Sequence, residues 1–268
     1  MVERSGAMTA EHLLFTGKDG KPISLEDLIA AGLDADESER VPGLVELLAH
    51  GAPNERLLAA IVLTSWAHAE GFAALQRWAS EPEAAPWHGD PVSFDRHFGV
   101  DDAFERLADA VWTSRLADAS RAQQAAALSA LLGIHHRKHF GRMLATILLM
   151  DPDLASLCAE AIRRAADASM AAIDAPPEPF DIGTQTAALL GPLATQDDER
   201  AARHAETLLL RAPNHTRALR ELAYALRNGQ AATLAVLERL AQSSIDSVRE
   251  EAESSLAARR ARSTPPAR

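Results

Sequence analysis

Ala232-Thr233-Leu234-Ala235-Val236-Leu237-Glu238-Arg239-Leu240-Ala241-Gln242 is followed, after a short polar turn, by Asp246-Ser247-Val248-Arg249-Glu250-Glu251-Ala252 with Leu256. Leu234, Leu237 and Leu240 recur at helical spacing, and Val248, Ala252 and Leu256 do the same in the second segment. Two amphipathic segments joined by so short a turn predict antiparallel helices packed along their apolar stripes. Working back from this pair, leading-helix anchors fall at Leu189, Met143, Phe104 and Leu44. The successive intervals between anchors, taken from the N-terminus, are 60, 39, 46 and 45 residues. A register of about 40–47 residues is that of stacked two- or three-helix units.

The Asp-x-Val-Arg-x-x-Ala opening at 246–252 resembles the second helix of a HEAT-type repeat. Residues 42–63 match the same pattern, with Arg56 early in their second helix. The chain is thus similar to HEAT/armadillo-like α-solenoid proteins of bacteria, over about residues 41–260. The implied fold is all-α, a helical-repeat solenoid of about five units. An N-terminal hairpin-like appendage and linker (1–40) precede it, and a basic tail (261–268) follows. The Pro-Asn openings at 53–54 and 213–214 leave a tetratricopeptide-like unit open as an alternative.

Local signals place the helices. Ser24 with Asp27 forms a capping box before a short helix that Gly32 should stop, and Asp34 to Arg40 reads as a charged linker. Asn54, Asp101 or Asp102, and Asp151 before Pro152 read as N-caps. Leu13 to Ile23, with a Lys-Asp-Gly turn, is expected as a small non-helical hairpin.

Alanine and leucine dominate an apolar fraction of 47%, and aromatic residues are only 4%, which favours helices throughout. The net charge is −11, and the first 258 residues alone carry −15. So acidic a body repels phosphate backbones and argues against nucleic-acid binding, whereas it attracts a basic protein. The apolar runs are too short to span a bilayer, so no membrane association is expected. A lone cysteine, Cys158, and the lack of an apolar leader run predict a cytoplasmic protein. Cys158 itself lies on an apolar helical stripe, where a core position is expected.

Residues 80–100 break the helical period with three prolines and two glycines. An irregular stretch this long is functional or a misread element. Its Trp87 and Phe94, with Asp90, Asp95 and Arg96 and the neighbouring Asp101 and Asp102, have the aromatic-plus-charge composition of interface hot spots. These seven residues are the candidate partner-binding set; the competing expectation folds the aromatics onto the helices. His135 and His139 share the i, i+4 spacing of zinc enzymes, but no carboxylate accompanies them and Arg137 and Lys138 lie between. No phosphate-cradling glycine loop or nucleophile elbow occurs, so no cofactor, no metal and no enzymatic activity are expected. Some stand-alone acidic solenoids of the resembled family serve as immunity proteins that occupy a basic toxin. The resemblance therefore implies protein binding, of that kind or as a scaffold or regulatory adaptor; an enzyme with its site near residues 80–100 is the remaining alternative.

Overall fold

The computed structural model describes residues 9–34, 37–95, 99–175 and 179–263. Its described residues are all-helical, with no strand beyond two isolated bridges. The chain divides into two compact units, Met1–Leu131 and Leu132–Arg268. That division falls in the last turn of a helix, at a point where the sequence carries no linker signal.

The first unit contains α1 (Ala10–Phe15), α2 (Leu25–Asp34), α3 (Val41–His50), α4 (Pro53–Ser65), α5 (Ala69–Ser80), α6 (Ala103–Thr113) and α7 (Arg121–Gly133). Its centre is α4, where nine successive residues from Leu57 to Ser65 are buried. A helix apolar all round must be covered on every side, and α1, α2, α3, α5 and α6 supply that cover.

Several local expectations are corrected here. Leu13, Leu14 and Phe15 belong to α1, because both leucines are needed in the core. What remains of the hairpin is one bridge, Thr16 with Pro22, closed by Gly17 N–H donating to Lys21 O. Gly32 lies inside α2 and does not end it. A Cβ there would fall 2.1 Å from the Trp66 ring, so the glycine makes room for an indole whose Nε1 donates to Ile29 O at 3.0 Å. The segment from Asp34 to Arg40 is no simple charged linker either. Arg40 is 5% exposed and forms a 2.7 Å bond from Nε to Glu37 Oε2. Its other nitrogens donate to the carbonyls of His12, Leu13 and Thr16, which α1 leaves open at its C-terminal end. Asn54 is not a cap: α4 starts after Ala52, whose N–H donates to the Glu55 carboxylate at 2.8 Å. The Ser24–Asp27 box forms as expected, Asp27 N–H donating to Ser24 Oγ at 3.0 Å.

The second unit contains α8 (Met143–Met150), α9 (Pro152–Leu157), α10 (Ala159–Ala172), α11 (Ile182–Gln196), α12 (Asp198–Arg211), α13 (Thr216–Ala225), α14 (Ala231–Leu240) and α15 (Asp246–Ser263). The helical stretch that Asp151 and Pro152 open is interrupted at Cys158, which is buried as expected and separates α9 from α10. Two rows of helices result. One runs α8, α11, α13, α15 and the other α10, α12, α14, with α11 against both α10 and α12. The central α11 is buried along almost its whole length. Asp151, Asp181 and Asp197 each cap their own helix. Asp198 instead caps a different one: its carboxylate accepts from the N–H groups of Gln230, Ala232 and Thr233 and from Thr233 Oγ1, closing the start of α14.

Among the described residues, no helix is long and apolar enough to cross a membrane.

Candidate partner-binding loop

Residues 81–102 leave α5 and enter α6 of the first unit. The path begins with a 3-10 turn at Pro82–Ala84, where proline supplies the fixed φ such a turn needs. Trp87 follows and is 2% exposed. Its ring meets Trp78 of α5 edge-on at 4.9 Å and Phe104 of α6 at 5.8 Å. Trp87 thus anchors the loop in the core, and a partner does not reach it in this conformation. Phe104 was legible as a helix anchor from its register; nothing local told that Trp87 would pack against it and Trp78.

Beyond Gly89, at φ 81°, the backbone turns back on itself. Phe94 bridges Asp101, Asp95 N–H donates to Val100 O at 2.9 Å, and Asp102 N–H donates to Ser93 O at 3.3 Å. Arg106 of α6 adds a 3.1 Å bond from Nη1 to Ser93 Oγ. Asp101 receives Ala103 N–H at 3.0 Å, so the aspartate that starts α6 acts one position earlier than Asp102, which occupies the N-cap position without a side-chain cap. Phe94 stands out: pinned on both sides by backbone bonds, it remains 54% exposed. Asp90 is exposed and Asp95, Asp101 and Asp102 are half-buried, while Arg96 lies outside the described residues. The structure therefore gathers Phe94, Asp95, Asp101 and Asp102 at one bridge, leaves Asp90 further back along the loop, and withdraws Trp87 into the core.

No protein-family model, curated protein or solved structure matches this chain.

Charge sharpens the picture. Residues 1–131 hold 21 acidic and 10 basic side chains, whereas residues 132–268 hold 17 of each. The whole net charge of −11 therefore belongs to the unit that carries the loop, a segregation visible only once the boundary is known.

The histidine cluster is built differently from a metal site. His135 is buried, stacks on Phe140 with ring centroids 6.0 Å apart, and shares a 2.8 Å bond between Nδ1 and Ser169 Oγ. Burial, aided by His136, pushes its pKa down to about 3, so the ring is neutral. Gln185 of α11 pins the same turn, donating to His135 O and Lys138 O and accepting from Phe140 N–H at 2.7 Å. Among the described residues, no three His, Cys, Asp or Glu side chains cluster so as to hold a metal ion.

Proposed function

We propose that this chain is a non-enzymatic, protein-binding α-solenoid of HEAT/armadillo type that acts in the cytoplasm as an acidic immunity protein. It binds a basic toxin directly and neutralises it. The observation that carries the reading is Phe94, a half-exposed aromatic held by backbone bonds at an acidic loop. A loop whose backbone is fixed before binding loses little conformational entropy on contact, and carboxylates beside the exposed ring favour a basic surface. The placement of all the net negative charge in the same unit supports a basic partner. Two arginines support the repeat reading. Arg56, early in α4, donates from Nε to Leu48 O of α3 at 3.0 Å, and Arg249, early in α15, donates from Nη1 to Ser243 O in the turn after α14 at 3.0 Å. Each ties the start of a second helix back to the end of the helix before it.

Affinity capture from extracts of the source organism, with the wild type and Phe94→Ala, tests this reading. The expected result is one basic protein held by the wild type, inhibited in its own activity, and released by Phe94→Ala at unchanged thermal stability. A partner that is acidic, or retained equally by the variant, overturns it.

A further inference from the structure

Where the start of α14 meets the end of α15, the closing pair of helices leaves an open cavity of about 650 Å³. Sites for small organic ligands run from about 300 to 1,000 Å³. Ala231, Leu234 and Glu238 line the cavity from α14, at the spacing of one helix face. Leu256 and Arg259 line it from α15, with Arg262 nearly one turn further on. Leu256 is buried and Leu234 half-buried, so the two leucines form an apolar floor. The 3-10 turn Leu226–Asn228, which ends α13, closes the remaining side with Asn228.

Neutral oxygens hold two guanidiniums on this wall. Arg262 donates from Nη1 to Asn228 Oδ1 at 3.0 Å and from Nη2 to Arg227 O. Arg259 donates from Nη2 to Gly229 O at 2.5 Å and to Gln230 O. The acceptors include carbonyls that a helix end leaves open, and such bonds position a guanidinium without cancelling its charge. For Arg259 the carboxylates nearby do not make up the difference. Burial lowers its pKa, the attraction of Asp198 opposes this, Arg262 lowers it further and Glu238 again opposes. The net result is a fall, so the cation stands at a cost that an arriving anion would relieve.

We infer that this cavity binds a small amphipathic anion, its apolar body on Leu234 and Leu256 and its carboxylate or phosphate head on Arg259 and Arg262. A guanidinium presents its N–H groups as a planar fork that matches either oxyanion. The floor selects the rest of the molecule: an inorganic ion would leave the leucines uncovered, and an uncharged apolar molecule would leave the guanidiniums without a counter-charge. The cavity lies wholly within the second unit, and the inference stands whether or not Phe94 contacts a partner.

The probe is anilinonaphthalene sulfonate, an aromatic anion that fluoresces on leaving water, titrated with the full chain. One molecule should bind per chain, and octanoate or octyl phosphate should displace it, the stronger of the two naming the head group. Arg262→Gln, at an exposed position, should weaken the probe about tenfold, a loss of about 1.4 kcal/mol. Ala231→Phe gives an independent reading: it fills the cavity from an exposed position and should abolish binding with both arginines in place. Thermal denaturation checks that each variant is folded. Absence of saturable binding by the wild type overturns the inference, as does unchanged affinity in the two variants. Displacement by octyltrimethylammonium as strong as that by octanoate would overturn the selection of an anion. Displacement by inorganic phosphate as strong as that by octyl phosphate would overturn the role of the apolar floor.

Discussion

Arg40 shows what a single side chain contributes when its partners are distant in sequence. Its guanidinium satisfies three carbonyls at the end of α1 and pairs with Glu37, all within a nearly dry environment. Removing one member of a buried ion pair leaves an uncompensated charge and, here, open carbonyls as well. Arg40→Ala should cost about 3–5 kcal/mol, and Arg40→Lys most of that, because an ammonium on a flexible stem cannot match the planar fork. Hydrogen exchange at Ala10–Ile23, alongside the denaturation midpoint, measures it; slow exchange preserved in Arg40→Ala would refute the role. His135 gives a prediction in pH. Its folded pKa of about 3 lies below the 6.5 of an unfolded histidine, so the unfolded chain takes up a proton first as pH falls. The contribution is complete above about pH 6.5 and declines by about 1.4 kcal/mol per pH unit below it, down to about pH 3. Between pH 6.5 and 5, above most carboxylate titrations, the wild type should lose about 2 kcal/mol more than His135→Phe does in urea denaturation. Neither role was legible in sequence. Caps such as Ser24 with Asp27 are read directly because donor and acceptor are three residues apart, whereas Arg40 reaches back 24 to 28 residues and Gln185 reaches 45 to 50.

At the scale of elements, the helical period placed most helices to within a few residues, since burial of an apolar stripe is a property each segment carries in itself. Where it failed, a neighbour intervened. Gly32 reads as a stop signal, but Trp66, 34 residues on, needs the space it leaves inside α2. The break at Cys158 has no glycine or proline to announce it. Asp198 is the clearest case. An aspartate in the first turn of α12 is explained locally by the helix dipole, yet its oxygens serve three amides and a hydroxyl of α14 more than thirty residues away. It therefore couples the two helices of one row. Burial raises its pKa, and the bonds from Thr233, Gln230 and Ala232 outweigh this and lower it. Asp198→Ala should destabilise the second unit by about 1–2 kcal/mol and speed hydrogen exchange at the start of α14, with Asp197→Ala affecting α12. If exchange in α14 is unchanged while that in α12 rises, Asp198 serves only its own helix.

At the scale of the molecule, the net charge and the candidate loop fall in the same unit, which total composition conceals. A net charge of −11 reads as plain solubility until the two compact units assign all of it to residues 1–131. The irregular stretch at 80–100 was legible as the exception to the repeat, and Phe94 and its aspartates were among the residues it nominated. The inward course of Trp87 was not, because both aromatics sit in the same aperiodic sequence and only the tertiary pocket of Trp78 and Phe104 separates them. If the acidic unit steers a basic partner, the position of charge must count for more than its sum. Glu81→Gln with Asp90→Asn, both exposed near the loop, and Asp153→Asn with Glu253→Gln, both exposed in the second unit, change the net charge equally. Stopped-flow association with the captured partner at low salt should slow by a factor of about 3 or more for the first pair and hardly at all for the second, and the difference should vanish as salt rises. Equal slowing by both pairs would mean that the partner responds to the overall field of the chain, and the loop would lose its place as the docking point.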